Sequence, residues 1–304
     1  MASTPLYSVV MTAFNSDATV RSSIESALSF EIPADEIIII DDCSTDSTIE
    51  IIRSYAKIDS RIICVLNPTN LGQSASRNMG VGLAKNEYII FMDDDDSSLA
   101  SRPTLHLSLF ETGNDLTYVS TLKRYSNGYS VRCENSNYSY RGTDGGSVIR
   151  YLVLGEKQDF FENLFSPSCA LAVRKSSFLK IGGFREVMRR LEDIDFVCRA
   201  LDSNLKVSWS SEIGVERLDT QGEDKNSAAN AKGELILLNN FRHRFSFSER
   251  LSFRIMVNLR KKYFAKQRFA LFLSLPQVLL LIALDPRKVM SIVNRLVHDF
   301  RKRN

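Results

Sequence analysis

No Cys-x-x-Cys pair occurs in this chain. The five cysteines, Cys43, Cys64, Cys133, Cys169 and Cys198, are odd in number and scattered. That pattern offers neither a zinc-site spacing nor a disulfide framework, so reduced thiols in a cytosolic compartment are expected. No basic segment followed by an apolar one stands at the N-terminus, and no export signal is read there. A G-x-G-x-x-G after the first predicted strand and a G-x-x-x-x-G-K-[ST] are both missing, which argues against a dinucleotide-binding or P-loop site. The uncharged stretch at residues 269–284 is 16 residues long and contains Pro276. It falls short of the ~20 residues that cross a bilayer.

Charge is present in both signs but is unevenly placed. The net charge is +3 over 304 residues. Residues 241–304 hold 15 Lys/Arg against 3 Asp/Glu, whereas residues 1–240 hold 24 against 33. A basic tail on an acidic body points to an anionic partner for the tail. On a helical wheel Arg250, Arg254, Lys261 and Arg268 fall together. A monotopic, interfacial element on anionic lipid is the expectation. A helical hairpin packed on the rest of the chain is the alternative, and no nucleic-acid fold accompanies the basic residues.

Apolar runs end repeatedly in acids. Residues 7–12, 36–40, 61–66 and 88–92 read as strands, with helical spacing between them (Val20, Ile24, Ala27, Leu28; then Ile51, Ile52, Tyr55; then Ala75, Met79, Leu83). Ser47 and Glu50 have the spacing of a capping box. Such alternation predicts βαβ units and a largely parallel sheet. The second strand runs into Asp41 and Asp42, and the fourth into Asp93, Asp94, Asp95 and Asp96. In a parallel sheet these ends share one edge, where ligands of open α/β sheets bind. An isolated acidic run is ordinarily a solvated turn. Four carboxylates at a strand end instead suit a hard divalent ion, Mg²⁺ or Mn²⁺. Beyond Asp96, residues 115–121 and 164–174 read as further strands. Residues 123–146, rich in Ser, Asn, Tyr and Gly, read as a mobile loop or irregular insertion.

Five blocks then carry a resemblance: SVVMTAFN at 8–15, IIIIDDCSTDS at 37–47, NLGQSASRNMG at 70–80, EYIIFMDDDD at 87–96, and GGF at 182–184 with LEDIDF at 191–196. In this order and spacing they resemble the family 2 glycosyltransferases of bacterial polysaccharide synthesis, which have the GT-A fold. The resemblance implies a Rossmann-like, mostly parallel α/β sheet flanked by helices, here with a helical basic C-terminal extension. It also implies roles. Thr12, Ala13 and Phe14 would line the nucleotide pocket, Asp42 would hydrogen-bond uracil, and Arg77 would help hold the nucleotide or its phosphates. Asp93 and Asp95 match the family's D-x-D as metal ligands, with Asp94 a ribose contact. Asp193 matches the catalytic base of inverting transfer, with Glu192 and Asp195 as acceptor-binding or supporting groups.

The chain departs from the family in two places. Where relatives carry Arg-x-His after the last strand, this sequence reads Arg217-Leu218-Asp219-Thr220, and its histidines (His106, His243, His298) lie elsewhere. The Q-x-x-R-W signature of processive members is absent, and the lone Trp209 follows no such motif, which favours addition of a single sugar. The expected layout is a nucleotide-sugar-binding half at 1–120, an acceptor-binding half at 121–240, and a membrane-associating tail at 241–304. The expected activity is metal-dependent, inverting transfer from a nucleoside-diphosphate sugar, UDP-linked, to a saccharide or lipid-linked saccharide at the inner face of the cell membrane. Transfer to polyprenyl phosphate and a non-catalytic nucleotide-sugar-binding protein are the alternatives.

Overall fold

The computed structural model describes residues 5–125, 127–140, 142, 144–155, 163–218 and 227–264, and three isolated positions beyond. In chain order the elements are β1 (Tyr7–Ala13), α1 (Val20–Leu28), β2 (Glu36–Asp41), α2 (Thr48–Ile58), β3 (Ile62–Leu66), α3 (Gln73–Leu83), β4 (Tyr88–Asp93), β5 (Asp96–Ser98) and α4 (Arg102–Glu111). They continue as β6 (Leu116–Arg124), β7 (Ser130–Cys133), β8 (Tyr138–Tyr140), α5 (Gly145–Leu154), β9 (Leu171–Arg174), α6 (Lys175–Lys180), α7 (Glu192–Asp202), β10 (Val207–Leu218), α8 (Ser227–Asn240) and α9 (Phe247–Phe264). The chain divides into two compact units, Met1–Gln221 and Gly222–Asn304.

One sheet organises the first unit, in the order β3-β2-β1-β4-β9-β6-β10-β5, with β7 beside β6 and β8 beside β10. The strands β3, β2, β1 and β4 are mutually parallel, as are β6 and β10. The strand β9 runs antiparallel between β4 and β6. Helices cover both faces of the parallel part, which is why β1 and β2 read as unbroken apolar runs and are buried throughout. Side chains alternate between faces. Val9, Met11, Ile37, Ile39 and Met92 join one core cluster with Val20 and Ile24 of α1, Ile52 of α2 and Phe110 of α4. Each such side chain contributes about 1.5–3 kcal/mol by leaving water. On the other face Phe91 meets Phe178 and Phe184, and Phe184 stacks near Phe196 at 4.7 Å. A Cβ added to Gly80 would lie 2.4 Å from Val10 Cγ1, so only glycine lets α3 lie this close to β1.

Three local expectations change. Of the stretch 164–174, only Leu171–Arg174 forms a strand. Ser47 makes no side-chain cap to α2; Asp46 Oδ1 accepts the Thr48 N–H at 3.0 Å instead, so the expected capping box does not form. The segment expected as irregular insertion supplies β7 and β8, which pair antiparallel with β6 and β10. Ser130 sits on β7 and Tyr138, Ser139 and Tyr140 on β8, while Asn127, Asn135 and Asn137 lie in the connections between strands.

In the second unit α8 and α9 pack together. Leu237, Leu238, Phe253 and Val257 are buried, while Arg254 and Lys261 are exposed. Nearly all of the 269–284 stretch, and Arg268 with it, lies outside the described residues. Among the described residues no helix is long and apolar enough to cross a membrane.

Candidate active site

Parallel pairing places the ends of three strands on one edge. Thr12 of β1 stands beside Asp93 of β4, and Ala13 stands beside Asp41 of β2. Beyond β1 the chain turns through Asn15, whose positive φ of 49° is a conformation asparagine tolerates. Asn15 Oδ1 accepts the Thr45 N–H at 2.8 Å, and the Asn15 N–H reaches Ser44 Oγ at 3.0 Å. The polar residues after β1 and β2 thus lock two loops together, leaving Phe14 46% exposed at their rim. The Phe14 N–H donates to Asp94 Oδ2 at 2.9 Å.

Asp42 faces inward. It is buried and accepts hydrogen bonds from Asn67 Nδ2 (2.7 Å), Leu71 N (2.8 Å) and Gly72 N (2.7 Å). Gly72 has φ +90°, which a side chain would strain. Asp42 therefore shapes the entry to α3.

The acidic run forms a two-residue turn, Asp94 and Asp95, between β4 and β5. Asp93, Asp96 and Cys169 bring ligand atoms within 4.8 Å of one another, with Asp95 outside that trio. Burial, with the neighbouring carboxylates, pushes Asp94 and Asp96 up to about 7. Burial likewise holds the Cys169 thiol well above its usual range, so it stays protonated and suits a hard ion poorly. The carboxylate oxygens do fit a hard divalent ion.

Two arginines reach this turn. Arg77 of α3 is 1% exposed, with Nη2 2.7 Å from Asp93 Oδ1 and Nη1 3.1 Å from Glu192 Oε1. Gln73 Nε2 donates to the same Glu192 oxygen at 2.7 Å. Arg77 was expected to hold the nucleotide or its phosphates; its burial between two carboxylates makes it a bridge from the acidic turn to α7. Arg217 of β10 stands opposite Asp96 across the β5–β10 pairing, with Nε 3.7 Å from Asp96 Oδ2 and its guanidinium 5.5 Å from the Phe165 ring centre. The nearby carboxylates of Asp96 and Asp93 favour its charged form, and it stays cationic. Sequence reasoning weighed this segment only for its missing histidine. Arg217 matches the arginine of that segment, but its pairing with the distant Asp96 is visible only in the sheet. Asp219 and Thr220 lie outside the described residues.

Helix α7 is preceded at its N-cap by Leu191, a non-glycine residue at φ 62°. Such a conformation in a bulky residue is uncommon and persists only where its surroundings enforce it. It aims three acids into the first helical turn, where the helix dipole favours them. Glu192 is buried against Arg77 and Gln73, and burial with the Asp193 charge pushes it up to about 7. Asp195 is fully buried, 2.7 Å from Arg199 Nε and 3.3 Å from Arg185 Nη1. Both are buried against their arginine partners, an arrangement that suits the supporting one of the two expected roles. Asp193 lies between them, half-buried, with Oδ1 accepting the Ile194 N–H at 2.8 Å. Burial raises its carboxyl above the ordinary range, while that hydrogen bond and the charges of Arg77, Arg190 and Arg217 pull it back. A carboxylate so placed can accept a proton.

The family described as glycosyl transferase family 2 matches residues 8–182. The chain belongs to glycosyl transferase family 2. A crystal structure of S. aureus TarS 1-349 in complex with UDP-GlcNAc superposes with a TM-score of 0.62 at 18% identity, covering 92% of this chain and 79% of that one. The same TarS fragment in complex with UDP gives 0.57, with coverage of 94% and 83%. The fold is GT-A. Among sequence relatives of this glycosyl transferase family 2 chain, an uncharacterized glycosyltransferase of Haemophilus influenzae is 26% identical over 196 residues, 64% of this chain and 62% of its own. The UDP-Glc:alpha-D-GlcNAc-diphosphoundecaprenol beta-1,3-glucosyltransferase WfaP of Escherichia coli is 39% identical over 107 residues, 35% and 42% of the respective chains. A cholesterol galactosyltransferase of Borreliella burgdorferi is 27% identical over 278 residues, 89% and 75%. The chain thus spans less than two thirds of the length of the first two of these relatives.

Proposed function

We propose that this protein is an inverting glycosyltransferase that moves a sugar from a nucleoside-diphosphate sugar, UDP-linked, to the hydroxyl of a lipid-linked saccharide used in cell-surface polysaccharide synthesis. One observation carries the reading. A half-buried carboxylate with a raised pKa, Asp193, opens a helix tied through Glu192 and Arg77 to the acidic end of β4. Inverting transfer needs these two features side by side: a place for the diphosphate and a base for the acceptor.

In the proposed reaction the Asp193 carboxylate takes the acceptor hydroxyl's proton as that oxygen bonds to the anomeric carbon. The bond from that carbon to the diphosphate breaks, and its electron pair leaves with the nucleoside diphosphate. Asp93, Asp95 and Asp96 would hold Mg²⁺ or Mn²⁺, which when bound offsets negative charge on the departing diphosphate. Arg217 faces the same turn and supplies a fixed positive charge. Thr12, Ala13 and Phe14 form the wall of the nucleotide pocket, with Asp94 held beside them for the ribose. UDP in the names of the TarS structures and of WfaP supports the donor class, and the diphosphoundecaprenol in WfaP's name supports the acceptor class. The match to the cholesterol galactosyltransferase over most of this chain favours one second reading, transfer directly onto a lipid. The basic face of α9 and the residues after it would hold the protein on an anionic membrane surface.

A release assay for UDP, run across donors and with saccharide, lipid-phosphate and lipid-linked saccharide acceptors, tests the proposal. Release that depends on a lipid-linked saccharide supports it. Donor binding without release under every acceptor would favour a binding protein on the same fold.

A further inference from the structure

Arg102 opens α4 and is fully buried, yet the proposed reaction does not use it. Its Nη2 donates to Phe91 O at 2.8 Å and, at 3.4 Å, to Leu171 O. Its Nη1 donates to Ser98 Oγ at 2.9 Å, and its Nε to His106 Nε2 at 3.3 Å. Because Nε2 accepts, the His106 proton sits on Nδ1 and is directed to Thr117 Oγ1, 2.8 Å away. Burial and the Arg102 charge hold this imidazole well below its ordinary pKa, so it is neutral. Burial brings Arg102 itself down to about 10, which leaves it cationic at neutral pH. Carbonyls, a hydroxyl and an imidazole surround the cation, and none of these four partners is a carboxylate. Burying a charge without a direct counter-ion is costly.

The positions of the partners give the arrangement its sense. Phe91 lies two residues before Asp93 on β4, and Ser98 lies two residues after Asp96 on β5. Leu171 lies two residues after Cys169, at the start of β9. Asp93, Asp96 and Cys169 are the trio whose ligand atoms converge. A Cβ at Gly214, three residues before Arg217 on β10, would come within 3.2 Å of Arg102 Cγ, so a fourth strand passes against the same side chain.

We propose that Arg102 is a positioning residue: one planar guanidinium fixes the spacing of the strand ends that carry Asp93, Asp96 and Cys169. It thereby sets the shape of the turn that receives the diphosphate, and in this the inference rests on the function proposed above. The fork matters as much as the charge. Nη1 and Nη2 diverge to different strands, and the single ammonium of a lysine cannot span them.

The test compares the full-length protein with Arg102→Lys, Arg102→Met and Ser98→Ala. Ser98→Ala removes one contact and leaves the arginine, so it serves if either Arg102 variant fails to fold. Amide hydrogen exchange is read without donor or metal. Local exchange at residues 91–98 should rise on the order of tenfold or more, while β1 and β2 stay protected. Transfer by the folded Arg102→Lys protein should fall by on the order of tenfold or more, with Ser98→Ala between it and the parent. A uniform rise in exchange across the sheet would overturn the proposal by reducing Arg102 to a general stabiliser. Unchanged exchange at 91–98 with parental turnover would overturn it as well. Local loosening in a protein whose parent transfers no sugar counts against the proposed reaction and in favour of the clamp.

Discussion

Arg77 Nη2 lies 2.7 Å from Asp93 Oδ1, with the arginine sealed from water and the aspartate 24% open to it. The same guanidinium holds Glu192 from the other side. Removing the arginine strands two carboxylates, one of them buried. Arg77→Met should therefore lower the free energy of unfolding by about 3–5 kcal/mol. Urea denaturation measures this, and a loss under roughly 1 kcal/mol would show that the bridge carries little of the fold.

Asp193→Asn keeps the shape of the side chain and removes the base. Transfer should fall by roughly 10²–10⁴-fold while affinity for the nucleoside diphosphate holds. Calorimetry and steady-state kinetics on one preparation separate the two effects. Near-parental turnover would move the base to another residue.

Glu192 supplies a pH signature. Its folded pKa of about 7 lies above its ordinary 4.5. Between those values the folded chain keeps a proton that the unfolded chain has lost, so stability declines as pH rises through the window. Glu192→Gln should flatten the slope of melting temperature against pH between about 4.5 and 7. An unaltered slope would assign that proton to another of the buried acids.

Divalent ions should be needed for tight binding of UDP, because the turn after β4 crowds carboxylates against a diphosphate. Titrations with Mn²⁺ and with EDTA decide this. Equal affinity in both would remove the ion from the proposal. Asp95→Ala and Asp96→Ala, compared side by side, would show which acid is the stronger ligand.

Arg250, Arg254 and Lys261 test the membrane contact; Arg254 also donates to Asn239 Oδ1 of α8 at 2.8 Å, so an Arg254→Gln control reports what loss of its charge does to the packing of the two helices. Exchanging all three for glutamate should weaken co-sedimentation with anionic vesicles by about 1 kcal/mol or more per residue, and the residual binding should depend less on salt. Unchanged, salt-insensitive sedimentation would rule out an electrostatic contact through this face.

The parallel part of the sheet was legible because buried strands between helices leave unbroken apolar runs such as Ile37–Ile40, and because acids mark their ends. What the sequence concealed were partners set by three-dimensional pairing. Asp195 reads as one more acid near an acceptor, yet Arg185 and Arg199 close over it. Asp42 reads as a ligand group, yet backbone N–H groups of a later loop claim its oxygens. Arg102 follows no motif, and Arg217, which stands where relatives carry the arginine of Arg-x-His, shows its partner only once β5 and β10 pair around the acidic turn.

The close contact of Gly80 with Val10 makes the catalytic geometry sensitive to a residue that touches no ligand. Arg77 sits one turn earlier on the same helix, and residues three apart share a face. A methyl group at position 80 would act as a wedge between helix and strand, with 2.4 Å where a normal carbon contact needs far more. The helix would have to lift, taking the Asp93–Arg77–Glu192 bridge with it. The reach of one side chain into the active site is thus gauged by the absence of another.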